Sequence, residues 1–396
     1  MTTEISPDGQ LAALVADAQR LYEDLAFGSV RAWKDGAQGR RAIGFLPIYA
    51  PREIIHACGA LPVGIMGGSD RLEIVRGDSY FQSYICHLPR SVVELAVSGR
   101  LDALDGFLFP STCDVIRNLS GMFKVLFPDK YIHYLDLPQN FVAGQGGRFY
   151  RSELQSIARA VGALTGIEAT PERLRHSIRA YNDNRRVLQQ LWQLRCDAPS
   201  QVSTAEYYLL LRAGYVVPVE EHTRMVERYL SLVGSVERRA VDNIRVLVRG
   251  AFCEQPPLAL LRTLERAGCY VVDDDFVQGI RLIPEPIDES GDPFDALAHA
   301  FLHRSLPCAV KYDAKRTKAA DLVDACKRAQ ADGVILMAPS FCDPALLDQP
   351  MLQKALEEAG IPFTTFKYSE DTGQFQVIRE QAGTFADAIK LWGATI

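Results

Sequence analysis

The chain has 396 residues, of which 48% are hydrophobic and 23% are charged, and its formal net charge is −6. This composition is typical of a globular protein that is long enough for two domains. The negative charge excludes the basic surface of a nucleic-acid or anionic-membrane binder. No apolar run is long enough to span a bilayer, and the N-terminus lacks the layout of a signal peptide. We therefore expect a cytoplasmic protein with no membrane or nucleic-acid partner.

The cysteine content predicts reduced thiols. An odd number of cysteines without a signal peptide argues against a disulfide framework. Most of these side chains are expected to be small core residues, because unpaired Cys is among the most buried residue types. The nine cysteines are Cys58, Cys86, Cys113, Cys196, Cys253, Cys269, Cys308, Cys326 and Cys342.

The first part of the chain predicts a helix followed by an α/β domain. Residues 11–34 carry apolar side chains at helical spacing, which predicts one amphipathic helix. Pro51 and Gly59 are expected to begin and end a short helix between the first two strands. Strands that alternate with helices predict a doubly wound parallel sheet. The predicted strands are RAIGFLPIY, LPVGIMGG, GFLFPSTC and KYIHYLDLP.

The remainder of the chain predicts a helical segment and a second α/β domain. His222 is expected on the surface of a helix in the middle segment, and later predicted strands are IRVLVRGAF, CYVVDDDF, GVILMAPSFCD and IPFTTFKY. Both α/β domains are expected to have a flavodoxin- or Rossmann-like sheet. The predicted organisation is an N-terminal helical arm (1–40), a first α/β domain (41–150), a helical connecting segment (151–240) and a second α/β domain (241–396).

Two distant stretches, DGFLFPSTCD and DGVILMAPSFCD, repeat one pattern. Each runs from Asp-Gly through an apolar strand to Pro-Ser-x-Cys-Asp, and the surrounding elements follow the same order, which predicts a diverged internal duplication. Ligands of open α/β sheets bind beyond the carboxyl ends of the strands. The duplication therefore directs Cys113 and Cys342 toward one cleft. The alternative is that each motif is only a strand-to-helix turn, with Asp114 and Asp343 suited to the helix N-termini.

Thiolates in such loops suggest a metal centre, since they are soft ligands of zinc and of iron–sulfur clusters. No C-x-x-C pair is present, which excludes a zinc ribbon or a ferredoxin-type run. Cys113 and Cys342 are candidate ligands, and a third is Cys86 in YFQSYICHLPRS, although spacing alone does not select three of nine. The chain has no Walker A, G-x-S-x-G or H-E-x-x-H pattern, so we expect no nucleotide hydrolysis by this chain.

Four stretches carry a resemblance: IYAPREIIHACGALPVGIMGG, YFQSYICHLPRS, FPSTCDVIRNL and APSFCDP. Together they resemble the 2-hydroxyacyl-CoA dehydratase and benzoyl-CoA reductase family over nearly the whole chain. The N-terminal helix, the stretch NLSGMFKVLFPDKYIHYLDLPQN and the mass of 43.9 kDa are most like the smaller, gamma- or C-type subunit of the ATP-dependent reductases. One departure is that Ile378 and Gly383 replace the Thr and Phe of a C-terminal Thr-Arg-x-x-Ala-Phe run. It argues against carrying over dehydratase-specific contacts and is compatible with a reductase.

The resemblance implies a 4Fe–4S cluster held by Cys86, Cys113 and Cys342, with the other cysteines in the core. It implies a role in reducing benzoyl-CoA to cyclohexa-1,5-diene-1-carbonyl-CoA with low-potential electrons from ferredoxin. The implied partners are a larger homologous cluster-binding subunit, two ATP-hydrolysing iron–sulfur activator-type subunits and an aromatic acyl-CoA, so ATP would be used by the partners. Candidates for contacts around the cluster ligands are His87, Ser111, Ser340, Asp114 and Asp343.

Two other functions stay open at this point. One is a subunit of a 2-hydroxyacyl-CoA dehydratase, which would use a similar fold and cluster to expel water. The other is a metal-free, two-domain protein that binds a small ligand in its cleft.

Overall fold

The computed structural model describes residues 6–46, 48–251, 255–308, 311–313, 315–369 and 375–393. Two four-stranded sheets, both fully parallel, confirm the predicted pair of doubly wound α/β units. The first has the order β2-β1-β3-β4 and contains β1 (Arg41–Phe45), β2 (Ala60–Gly64), β3 (Gly106–Pro110) and β4 (Tyr131–Leu135). The second has the order β6-β5-β7-β8 and contains β5 (Ile244–Arg249), β6 (Cys269–Asp274), β7 (Gly333–Pro339) and β8 (Phe363–Tyr368).

Helices flank both sheets, and α6 to α9 lie between the sheets in the chain, as the helical pattern of the middle segment predicts. In the described parts of the chain, none of the helices is both long and apolar enough to cross a bilayer. The helices are α1 (Pro7–Glu23), α2 (Gly28–Asp35), α3 (Arg52–Ala57), α4 (His87–Val97), α5 (Asp114–Leu126), α6 (Arg148–Thr165), α7 (Pro171–Asp197), α8 (Thr204–Ala213), α9 (Val219–Val233), α10 (Leu258–Arg266), α11 (Gln278–Arg281), α12 (Pro293–Arg304), α13 (Lys318–Arg328), α14 (Asp343–Glu358) and α15 (Phe375–Trp392).

The Asp-Gly start of each repeated stretch joins two strands of its sheet. Asp105 donates its backbone N–H to Ala42 O and accepts the Ala42 N–H with its carboxylate, both at 2.8 Å. Asp332 makes the same two bonds with Arg245, both at 2.7 Å. Each Asp therefore fixes the start of the third strand against the first strand of its unit, which is a structural role.

The Pro-Ser end of each repeated stretch is also anchored in the same way. The Ser111 N–H donates to Leu135 O at the end of β4 (2.9 Å), and the Ser340 N–H donates to Tyr368 O at the end of β8 (2.7 Å). The two Cys-Asp loops thus leave their sheets at equivalent places, beyond the carboxyl ends of β3 and β7. These matched bonds support the predicted internal duplication.

The predicted single helix over residues 11–34 is wrong, because the chain breaks between α1 and α2. The Asp24 carboxylate accepts the backbone N–H groups of Ala26 (3.2 Å) and Ser29 (3.1 Å), and Phe27 has a left-handed φ of 55°. A short acidic side chain that bonds nearby N–H groups competes with the helix for them. The helical spacing continues through the break, so periodicity alone does not show it.

The expected surface position of His222 is also wrong. The residue is 1% exposed and lies on the buried stripe of α9 with Val219, Val226 and Tyr229. Its Nε2 donates to Leu210 O (2.9 Å). Polar partners within the core make the burial of this imidazole acceptable.

Burial lowers the pKa of His222 from 6.5 to about 4, although its bond to Leu210 O acts in the opposite direction. Between these values the unfolded chain binds a proton at His222 that the folded chain does not. We therefore expect the free energy of unfolding to decrease by up to ~3 kcal/mol as the pH falls from about 6.5 to about 4. Urea unfolding at about pH 7 and about pH 5 should show a smaller loss for His222→Gln than for wild type. Equal losses in the two proteins would contradict this assignment.

Candidate functional site

The three cysteines that resemblance matches to a cluster each stand immediately before a helix. Cys86 is the N-cap of α4, Cys113 of α5 and Cys342 of α14, and none of the three side chains makes a capping hydrogen bond. The last two follow the third strands of the two sheets, where the strand order places a topological switch point. By contrast, among the helices whose N-caps the structure describes, five others are capped by oxygen side chains that accept a backbone N–H: Ser6, Thr170, Ser203, Asp292 and Thr317.

Sulfur at an N-cap has a chemical consequence. The cap position favours Ser, Thr, Asp and Asn because their oxygens accept the first N–H groups of the helix. A thiol is a weak acceptor there, whereas a thiolate is an anion at the positive end of the helix dipole. Asp114 and Asp343, which suit helix N-termini, are the first residues inside α5 and α14, where an acidic side chain is favourable to the helix dipole.

Groups around Cys113 have opposing effects on the pKa of its thiol. Burial raises the pKa of Cys113, and the carboxylate of Asp114 acts in the same direction. The backbone N–H groups of Ile116 and Val115 and the hydroxyl of Thr112 oppose them and lower the pKa of Cys113. Every donor that favours the thiolate therefore comes from the repeated loop and the first turn of α5.

Packing places the three cysteines beside two apolar clusters. Cys342 belongs to, and Cys86 packs against, a cluster that contains residues of both sheets, such as Ile43 and Ile335. Cys113 packs against a neighbouring cluster of the first sheet. Across the described residues, no three or more His, Cys, Asp or Glu side chains converge as ligands of one metal ion. In a cubane each thiolate binds a different iron, so the three sulfurs would surround a cluster and not a single ion, and the donor set fits a cluster in kind.

The other described cysteines are buried in the core, as expected. Burial raises the pKa of Cys58, Cys196 and Cys326 to about 11 and that of Cys269 to about 12. These thiols stay protonated at neutral pH in the folded chain. Cys308 is also buried, and none of the eight described cysteines forms a disulfide. Cys253 lies outside the described residues.

Two of the candidate contact residues hold the repeated loops in place. The Ser111 hydroxyl accepts the Leu137 N–H (3.0 Å), in addition to the Ser111 backbone bond to β4. Ser340 has the equivalent backbone bond to β8. His87 is the first residue of α4, directly after Cys86. The two serines therefore stabilise the loop conformations.

A cavity of about 470 Å³ adjoins the second of these loops. It lies at the carboxyl ends of β5 and β6, and Ala345, one turn after Cys342 on α14, is in its wall. Its volume is that of a small-molecule site. Charged groups of the wall are paired within the protein, among them Arg249 with Asp273 (2.5 Å). The residues of this cavity wall were not identified from the sequence. The three consecutive aspartates of CYVVDDDF, at the end of a predicted strand, were the signal that could have indicated a charged site there.

Comparison with known proteins decides the family. The family model described as 2-hydroxyglutaryl-CoA dehydratase, D-component, matches residues 47–389. The chain belongs to this family. The resemblance seen in the motifs is confirmed, and this family member is a subunit of an enzyme.

Three similar relatives of this chain are named as subunits of enzymes. The C subunit of benzoyl-CoA reductase from Thauera aromatica is 50% identical over 382 residues, which cover 96% of this chain and 99% of the relative. The beta subunit of (R)-2-hydroxyglutaryl-CoA dehydratase from Acidaminococcus fermentans is 28% identical over 387 residues, covering 96% and 100%. The beta subunit of (R)-phenyllactyl-CoA dehydratase from Clostridium sporogenes is 26% identical over 351 residues, covering 89% and 92%.

The C-terminal departure from the family pattern lies in α15. Ile378 is buried on this helix together with Ala382, and both belong to the larger apolar cluster. Because Ile378 packs in the core, its side chain stabilises the helix and does not face a ligand. The departure therefore concerns packing of the second sheet's last helix.

Proposed function

We propose that the chain is the iron–sulfur subunit, of the C type, of an ATP-dependent benzoyl-CoA reductase. The reaction would be the reductive dearomatisation of benzoyl-CoA to cyclohexa-1,5-diene-1-carbonyl-CoA during anaerobic degradation of aromatic compounds. The 50% identity to the C subunit of a benzoyl-CoA reductase over 96% of the chain supports the reductase assignment. The observation that carries the cofactor assignment is the placement of Cys86, Cys113 and Cys342 at three helix N-caps.

In this proposal Cys86, Cys113 and Cys342 hold a 4Fe–4S cluster. When bound, such a cluster supplies one-electron transfer at a low reduction potential. The N-termini of α4, α5 and α14 place positive dipole ends beside the three thiolates, which stabilises their negative charge. Ser111 and Ser340 hold the two repeated loops against their sheets, and the apolar packing of Cys342 keeps water away from its sulfur.

The proposal includes partners that the chain itself would require. Adding an electron to the benzoyl ring breaks its aromaticity, although the thioester carbonyl stabilises the added charge. The extra driving force would come from two ATP-hydrolysing iron–sulfur subunits, which would receive their electrons from ferredoxin. ATP hydrolysis is assigned to these partners because this sequence has no Walker A pattern. A larger homologous subunit would complete the module that binds the aromatic acyl-CoA. The relatives are named as C or beta subunits, which supports such a complex.

A second candidate function is the dehydration of a 2-hydroxyacyl-CoA. The description of the family model and the 28% identity to a dehydratase beta subunit favour it. A dehydratase would return the electron after each turnover and would use ATP only for activation. ATP use per turnover therefore separates the two reactions.

We expect the purified holoenzyme, under strict anaerobiosis and with reduced ferredoxin as the electron donor, to consume benzoyl-CoA with ATP hydrolysis in proportion to product. The measurement follows the loss of benzoyl-CoA, the formation of the cyclic diene thioester and the release of ADP in the same samples. (R)-2-Hydroxyglutaryl-CoA and (R)-phenyllactyl-CoA serve as controls and should not be dehydrated. Dehydration of either control with only trace ATP use would replace the reductase assignment, and a preparation without iron would support a metal-free binding protein.

A further inference from the structure

The two repeated loops give their cysteines different neighbours. Thr112 precedes Cys113, and Phe341 stands at the equivalent place before Cys342. Thr112 is 6% exposed, whereas Phe341 is 51% exposed and has a left-handed φ of 64°. Only the first loop therefore places a buried hydroxyl next to its cysteine.

The Thr112 hydroxyl is inaccessible to water and, within the part of the chain that the structure describes, has no partner with full hydrogen-bond geometry. A buried polar group without a partner destabilises the folded state. The backbone on both sides of this side chain is fixed, because the Thr112 N–H donates to Pro110 O (2.7 Å) and the Ser111 N–H donates to Leu135 O. Packing alone would favour Val, which has the same shape and no polar atom to satisfy.

The Thr112 hydroxyl is buried in the first loop directly before Cys113, whose sulfur is the next side-chain acceptor along the chain. In keeping with this, the Thr112 hydroxyl acts to lower the pKa of the Cys113 thiol, against the effect of burial. A hydroxyl rotates freely about its C–O bond, so it aligns once the sulfur carries more negative charge. A ligand thiolate has that charge, and its hydrogen bond would be charge-assisted.

We propose that Thr112 is a positioning residue that donates its hydroxyl hydrogen to the Cys113 sulfur when Cys113 is a cluster ligand. This proposal rests on the proposed function. Hydrogen bonds to ligand sulfurs are among the features that set the potential of an iron–sulfur centre. Because the bond stabilises the more negative, reduced state, Thr112 raises the reduction potential. The first loop would tune its ligand in this way, and the second loop would not.

The test compares Thr112→Val, which removes the donor, with Thr112→Ser, which keeps it, in the anaerobically purified holoenzyme. The measurement is a redox titration followed by electron paramagnetic resonance, on the signal that Cys113→Ala abolishes. We expect Thr112→Val to lower the one-electron equilibrium constant for reduction by up to tenfold, which is about 59 mV. Thr112→Ser should keep the wild-type potential. The matched control is Thr263→Val, because the Thr263 hydroxyl bonds to Ala259 O on α10.

A wild-type potential in Thr112→Val with full iron content overturns the proposal, as does a Thr112→Ser potential as low as that of Thr112→Val. If Thr112→Val loses iron, Thr112→Ala is compared with Thr112→Ser. Equal potentials in this pair overturn the proposal, whereas loss of iron in Thr112→Ala but not in Thr112→Ser supports it. A wild-type holoenzyme without the Cys113-dependent signal would overturn the proposed cluster and, with it, the role of Thr112.

Discussion

Replacement of Cys113 by Ala is expected to remove the cluster of this subunit and to abolish benzoyl-CoA reduction. Three thiolates would hold the cluster, and the loss of one leaves an iron without its protein ligand. In the anaerobically purified holoenzyme, iron and acid-labile sulfide should each fall by about four per complex, the content of one cubane. Cys342→Ala and Cys86→Ala should have the same effect, because each removes one of the three N-cap sulfurs.

The matched control for these variants is Cys326→Ala. Cys326 is buried like Cys342, but it lies inside α13 and not at a helix N-cap, and burial raises the pKa of its thiol to about 11. Its removal should leave iron, sulfide and activity unchanged and should cost only a small loss of stability, about 1 kcal/mol. Full iron and full activity in Cys113→Ala would contradict the cluster assignment. Retention of iron in only one of the three variants would show that the corresponding cysteine is not a ligand.

The sequence predicted the fold well because its elements have clear local signals. Short stretches rich in apolar residues mark most strands of the described sheets, and Pro51 and Gly59 flank α3, with Gly59 at a φ of 71°. The two errors arose at polar side chains whose partners the local pattern does not show. Asp24 ends α1 by bonding backbone N–H groups, and His222 occupies a buried stripe because polar partners lie within the core.

The candidate site was predictable only in part. The repeated motif identified Cys113 and Cys342, because a strand followed by a helix is a local pattern that also fixes where the cysteine stands. The charged wall of the cavity depends instead on contacts between residues far apart in the chain. Arg195 on α7 meets Asp274 at the end of β6, and no local pattern in the sequence predicts that pair.

Asp274→Ala is expected to destabilise the chain far more than the loss of a half-exposed ion pair. Asp274 accepts a hydrogen bond from Arg195 (2.6 Å) and another from Arg281 (2.6 Å), and both Asp274 and Arg195 are fully buried. Removal of the carboxylate leaves two guanidinium groups without their anion, and breaking a buried pair in this way costs ~3–5 kcal/mol. Urea unfolding of wild type and variant at neutral pH measures the difference in the free energy of unfolding.

The control is Glu285→Ala, which breaks the half-exposed pair of Arg304 and Glu285 and should cost less than about 1 kcal/mol. A second test separates the cost of leaving Arg195 buried without its anion from the cost of losing the Asp274 side chain itself. In Arg195→Met/Asp274→Leu both charges are replaced by apolar side chains, so the double variant should recover part of the stability that Asp274→Ala loses. Recovery stays incomplete because Arg281 still lacks its partner. If Asp274→Ala costs no more than Glu285→Ala, the buried pair does not stabilise the end of β6 and the wall of the cavity beside it.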